Sequence, residues 1–252
     1  MKKLKNAILS VLAPVLVLVV LFGLWQYLCV ANNIPKWLLP SPLNIFKCMI
    51  DNFPEFFHHF TISLKTVLIG FAFAVPVGIL IATLITSSKV VSAALSPYIT
   101  VLVITPLIVL LPILMLFLGY GIKVRIIGVV IQAFAIVNMN TCTGMLNVPE
   151  IRHELMQTVG ANKFQALRHV IYPTAALDIF TGVRLSAIFS TTACVSAEYV
   201  GGNEGLGALI IKYSQLLKTT ESFACIFYVM IIGLIMYGLV SFLQNKVIYW
   251  KT

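Results

Sequence analysis

Long apolar stretches alternate with short polar ones along the whole chain, and most of the apolar stretches have the length of membrane helices. The first, Ala7–Val30, is about 24 residues and makes about 36 Å of helix. That is enough to cross a bilayer core and more than a cleavable leader carries. Lys2, Lys3 and Lys5 precede it, so the pattern places the N-terminus in the cytoplasm. From Ala31 to Phe60 the pattern breaks at Pro35, Pro40, Pro42 and Pro54. Trp37, Phe46, Phe53, Phe56, Phe57 and Phe60 suit the boundary between water and lipid, so this segment is expected to lie along the outer surface. Apolar runs resume at about Thr61–Thr86, Val90–Leu118, Lys123–Met145, Thr174–Tyr199 and Phe223–Leu243. The predicted fold is all-α: a polytopic membrane protein of six transmembrane helices, with Lys246 and Lys251 past the last span and both termini cytoplasmic.

Breaks inside the runs predict local shape. Gly70, Pro76 and Gly78 in the second span are tolerated when neighbouring helices satisfy freed backbone groups, and the small residues permit close packing. Ser87-Ser88-Lys89 forms a tight turn. The third run holds Pro97, Pro106 and Pro112 and exceeds what a bilayer needs, so it is expected to be kinked or broken, with Thr105-Pro106 as a bend that lines the pathway. Gln132, Asn138, Asn140, Thr141 and Thr143 make the fourth span polar; they either join helices or line a route. The fifth carries Asp178, Arg184 and Glu198 with Ser190, Thr191, Thr192 and Ser196, and is expected to face the pathway. Asp178 and Glu198 lie near its ends, within reach of the interface. Arg184 is deeper and needs a carboxylate, a backbone carbonyl or a cavity. Gly201–Gly207 reads as a tight outer turn before a short amphipathic helix ending near Leu217.

The one polar stretch of any length is Asn147–Pro173. Asn147 is read as a helix cap, with Pro149 and Glu150 suited to the first turn. Ile151, Leu155 and Val159 then recur at helical spacing as a narrow apolar stripe among Arg152, His153, Glu154 and Gln157. Gly160 is expected to stop this helix, and Asn162 with Gln165 to cap a second. The second helix, Lys163 to Ile171, is expected to end at Tyr172, because Pro173 disfavours a helical conformation in the residue before it. Two short helices with a bend make a compact knuckle, and alternation of the spans puts it in the cytoplasm.

Glu154-Leu155-Met156, Gly160 and Val170-Ile171-Tyr172-Pro173 resemble the cytoplasmic EAA loop, E-A-A-x3-G-x9-I-x-L-P, of permease subunits in bacterial binding-protein-dependent ABC importers. Leu155 and Met156 stand where that pattern has alanines and Tyr172 where it has leucine. LPSP at Leu39–Pro42, the run from Pro106 that ends in LFLGYGI, and AEYVGGNEGLG at Ala197–Gly207 are similar to the nitrate, sulfonate and taurine branch, which also includes importers of thiamine-precursor pyrimidines. The resemblance implies a single permease domain over 1–252: an N-terminal span and outer segment (1–60), core spans (61–245) and a coupling loop (146–173) between spans four and five. It implies that Glu154, Leu155, Met156, Gly160, Ala161, Val170, Tyr172 and Pro173 engage a cytosolic ATP-binding subunit. It also implies an extracytoplasmic substrate-binding protein and a second permease copy, expected to be identical. Thr105, Pro106, Asn138, Asn140, Arg184, Thr191, Thr192 and Glu198 are the candidate pathway residues.

Composition agrees with the membrane reading. Of 252 residues, 60% are hydrophobic and only 10% charged, against about a quarter charged in soluble domains. A net charge of +9 would suggest nucleic acid in a soluble protein; here the basic residues are scattered along loops and helix ends, which suits lipid headgroups instead. Cys29, Cys48, Cys142, Cys194 and Cys225 form no metal or disulfide pattern, and His58-His59 point too far apart on a helix to share a metal. No phosphate-binding, metalloprotease or nucleophile motif appears, so neither a catalytic residue nor a cofactor is expected and ATP hydrolysis falls to a partner. The alternatives are a self-sufficient secondary transporter or channel, which needs a charged relay across several spans, and a membrane scaffold that uses the knuckle only for docking.

Overall fold

A computed structural model describes residues 2–248, with the side chains of 2–11 and of His153 outside the described set; Lys251 also lies outside it. Prolines and glycines decide where its helices begin and end. α1 (Lys2–Ala31) runs through Pro14 and leaves most of its described side chains exposed. α2 (Pro42–Asp51) starts on a proline, whose missing N–H costs nothing in a first turn. α3 (Phe53–Ser87) begins well before Thr61, because Pro54 likewise falls in its first turn and starts a helix rather than breaking one. The boundary expected between 60 and 61 therefore falls inside α3. Phe56 and Phe60, expected at the lipid boundary, are buried in the core, while Trp37, Phe46, Phe53 and Phe57 are exposed.

α4 (Lys89–Ile104) and α5 (Leu107–Leu118) meet at a bend of 105°. Pro106 holds Thr105 in an extended conformation (φ −73°, ψ 120°), as its ring demands of the preceding residue. α6 (Ile122–Leu146) follows, then α7 (Glu150–Thr158) and α8 (Lys163–Ala166). A π-helical turn, Leu167–Ile171, leads without a break into α9 (Tyr172–Gly201). Tyr172 is helical here (φ −61°, ψ −47°), contrary to the expected stop before Pro173. The Tyr172 N–H bonds the Leu167 carbonyl five residues back, and this widened turn relieves the clash a proline ring makes with the carbonyl one turn before it. α10 (Leu206–Gln215) and α11 (Thr219–Val247) complete the chain.

Five helical stretches among the described residues are long and apolar enough to cross a membrane, and α4 with α5 taken as one broken span makes six. α6 is the centre of the bundle, packed on α3 along one side and α9 along the other. Glycines set both seams. A Cβ at Gly70 would lie 2.5 Å from Val129 Cγ1 and one at Gly78 2.9 Å from Val137. The pairs keep one offset, so α3 and α6 run parallel. On the other side Gly144 meets Asp178 and Gly182 meets Asn140, the order reversed, so α9 runs antiparallel. Such close approach is how small residues gain dispersion contacts where no hydrophobic force drives helices together. Phe22, Trp25, Phe46, Phe223 and Phe227 join α1, α2 and α11 by ring contacts. The cysteines are free, and all but Cys142 are buried as small hydrophobes.

Candidate functional site

α7 is defined by its ends. Asn147 does not cap it: its N–H bonds the Thr143 carbonyl at 3.0 Å and closes α6, which runs further than the capping pattern allowed. Pro149 occupies the cap position, and Glu150 faces the positive helix end from the first turn. At the far end Gly160 adopts φ +67°, a left-handed conformation that glycine takes at little steric cost. The Gly160 N–H then bonds the Gln157 carbonyl (3.0 Å) and the Ala161 N–H the Met156 carbonyl (2.9 Å). These two bonds are a Schellman motif. Asn162 and Gln165 form the expected capping box, each side chain accepting the other's backbone N–H at 2.8 Å.

This framework presents an apolar stripe to the outside. Ile151, Leu155 and Val159 are 69%, 59% and 67% exposed, and Glu154 is exposed beside them. Met156, Ala161 and Val170 are half-buried on the bundle side. Met156 and Ala161 line a cleft with Leu167, closed across the gap by Thr86 of α3 and Met145 of α6. Arg152 donates to the Thr174 hydroxyl and ties α7 to α9. Pro173 is half-buried, and the Tyr172 hydroxyl lies 2.8 Å from Thr83 Oγ1 on α3. The structure thus gathers the predicted coupling residues into one knuckle that touches α3, α6 and α9 while turning its stripe away from them.

At the opposite end of the bundle sits a buried polar cluster that the sequence pattern does not reveal. Glu198 is fully buried rather than at the interface. Its carboxylate accepts from Ser63 Oγ (2.8 Å), the Gly207 N–H (2.9 Å) and Cys194 Sγ (3.4 Å). Arg125, in the first turn of α6, is 6% exposed; its Nη1 lies 3.8 Å from the carboxylate and donates to the Glu204 carbonyl at 3.1 Å. Ser63 Oγ accepts the Leu206 N–H (2.9 Å) and His59 Nδ1 the Gly205 N–H (3.0 Å). Gly205 is at φ +101° against the carboxylate, where an added Cβ would collide with Glu198 Cδ. The turn is built on the carboxylate. The spacing of Glu198, Gly205 and Gly207 is the signal that could have found this arrangement; nothing in the sequence marks Ser63 or Arg125 as its partners.

The candidate pathway residues divide by exposure. Thr192 and Pro106 are exposed, Thr105 and Asn140 half-buried. Asn138 is buried and donates to the Gly78 carbonyl at 3.2 Å, joining α6 to α3. Thr191 is buried. Arg184 finds an amide rather than a carboxylate or carbonyl of the backbone: it donates to Gln244 and lies 5.5 Å from the Tyr237 ring centroid, both on α11, because the residues α11 turns toward it at this depth include no acid. Asp178 is exposed, as expected near a helix end. His58 and His59 have rings 5.4 Å apart, and His59 is engaged by the turn.

Comparison with known proteins places this geometry. The chain is 28% identical over 241 residues to the formylaminopyrimidine transport permease protein ThiX of Halalkalibacterium halodurans, covering 95% of this chain and 96% of that one. It is 29% identical over 253 residues to the nitrate import permease protein NrtB of a Synechocystis species, covering 95% and 90%. Its fold is that of a solved amino acid ABC transporter chain, at a TM-score of 0.65 and 19% identity over 80% of this chain and 98% of that one. The profile of one family matches residues 74–249. The chain belongs to that family, the binding-protein-dependent transport system inner membrane components.

Proposed function

We propose that this chain lines half of the translocation pathway of an ATP-driven importer and receives the ATPase through α7. The observation that carries the reading is the exposed Ile151, Leu155 and Val159 stripe, turned away from the bundle on a helix capped at its far end. An apolar helix face left in water is a cost unless a partner groove covers it. In this reading a cytosolic ATP-binding subunit provides the groove and a basic side chain for Glu154. An extracytoplasmic binding protein delivers the solute at the Glu198 end, a second identical chain completes the pathway, and both termini are cytoplasmic. ATP-driven closure of the ATPase pair draws two knuckles together and tips the bundles between discrete packings.

Thr105, Pro106, Asn140 and Thr192 keep surface free and are the residues we assign to the pathway; Asn138, Thr191, Arg184 and Glu198 support it from behind. The substrate is of the branch's kinds, a nitrate-, sulfonate- or taurine-like anion or a thiamine-precursor heterocycle. The free pathway groups are uncharged, while Arg125 is committed to Glu198 and Arg184 to Gln244. Gln244 is a neutral amide, so Arg184 keeps its positive charge beside the pathway, and an anion as well as a neutral ring has a group to meet.

Reconstitution in vesicles tests the proposal. The purified chain alone is expected to pass none of nitrate, taurine or formylaminopyrimidine, and uptake is expected only with ATPase, binding protein and ATP together. Flux through the chain by itself would instead establish a self-sufficient transporter or channel.

A further inference from the structure

We propose that the Tyr172 hydroxyl is the bolt through which movement of the knuckle reaches α3. The inference rests on the coupling role proposed for α7, and it concerns a position where this chain departs from the EAA pattern, a tyrosine in place of leucine. Thr83 Oγ1 donates its single proton to the Ile79 carbonyl at 2.8 Å. It is therefore the acceptor for Tyr172, whose hydroxyl lies 2.8 Å away and donates. Met145 of α6 adds its sulfur to the same cluster, 3.5 Å from Thr86 Oγ1 and 4.0 Å from Thr83 Oγ1. One group of four side chains, Met145 buried and the other three half-buried, thus joins the knuckle ends of α3 and α6 to the first residue of α9.

The local backbone aims the tyrosine. An ordinary α-helix continued from α8 would carry Tyr172 to a different face; the π-turn adds a residue to the preceding turn and rotates Tyr172 and its successors by about 100°. Pro173 lies one residue on, where its ring favours that widened turn. Sequence, turn and hydrogen bond form one chain of cause: Pro173 favours the π-turn, the π-turn directs Tyr172 toward α3, and Thr83 receives it. Elsewhere along its length α3 meets α9 near the far end, through Ser63 and Glu198. Without the Tyr172 bond, a push on α7 would reach α9, but among the described residues α9 would have no hydrogen bond to the knuckle end of α3.

The variant is Tyr172→Phe, which keeps the ring and removes the hydroxyl, with Thr83→Val as its partner and Thr83→Ser as the conservative control. Two readouts are taken on the complex co-purified with its ATPase in proteoliposomes. One is ATP hydrolysis; the other is the ATP-dependent change in maleimide alkylation of Cys142. This is the cysteine that is not buried, and its Sγ lies 3.8 Å from the Ala82 carbonyl at the α3–α6 seam. The wild-type complex should show an alkylation rate that changes with ATP. Thr83→Val, outside the coupling loop, should keep the ATPase bound and hydrolysing while that change falls roughly five- to tenfold, the worth of one net hydrogen bond, and Tyr172→Phe should show the same fall. The double variant should lose no more than either single one, and Thr83→Ser should behave as wild type.

An undiminished ATP response in Tyr172→Phe overturns the proposal, as does a wild-type complex whose Cys142 does not respond to ATP. Loss of the ATPase from Tyr172→Phe overturns it too, since the residue would then act in docking. Lower thermal stability of both single variants with an intact ATP response would assign the bond to folding alone. Failure of the underlying coupling reading looks different: Glu154→Lys would then retain both the ATPase and the response.

Discussion

Glu198→Ala should destabilise the protein by about 3–5 kcal/mol, because it leaves the Arg125 guanidinium buried without its carboxylate. The loss is larger than that of one bond. Ser63 Oγ, Cys194 Sγ and the Gly207 N–H would lose their acceptor together, and each buried donor left unsatisfied adds its own desolvation cost. Glu198→Gln keeps a carbonyl oxygen for Ser63 or Gly207 and should cost distinctly less. Thermal unfolding in detergent, followed by a thiol-reactive dye that reports on the buried cysteines, separates the two variants. An alanine variant as stable as wild type would mean that the turn after α9 does not depend on the cluster beneath it.

The second large effect is expected at the α6–α9 seam. Gly182 is buried against Asn140, and a Cβ there would lie 2.5 Å from Asn140 Cβ on a facing helix backbone that cannot swing aside. Gly182→Leu should force the helices apart, at a cost of about 3 kcal/mol or more, and reduce the amount of folded chain recovered from membranes. Gly238→Leu is the matched control, since nothing lies within 4 Å of a Cβ at that glycine. Equal recovery of the two variants would contradict the packing described for α6 and α9.

Much of this fold is legible in the sequence because a bilayer leaves few choices. Apolar runs of span length, proline positions and the polar knuckle predict six spans and the break at Thr105-Pro106, and the bend falls there. Gly160 and the Asn162–Gln165 box are local signals with local causes, and they read correctly. Local rules fail where the answer depends on register. Pro54 has the look of a breaker but falls in the first turn of α3, and Pro173 has the look of a stop but follows a π-turn. Charge misleads for a different reason. Glu198 and Arg125 both sit near helix ends, where a charged side chain normally reaches water, and only the packed bundle shows them turned inward toward each other. The order of partners across α3, α6 and α9 is a tertiary fact with no trace along the chain.

If α7 carries an ATPase, that subunit should stay with the permease through purification. Affinity purification of the tagged full chain from detergent, followed by ATPase assay and mass identification of the co-purifying proteins, decides it. An ATP-binding subunit is expected alongside the wild-type chain and absent from Glu154→Lys. That variant should still insert in the membrane, because Glu154 is exposed and supports nothing within the bundle. A chain that purifies without any ATPase, or a Glu154→Lys variant that keeps both its ATPase and its uptake, would contradict the coupling role of α7.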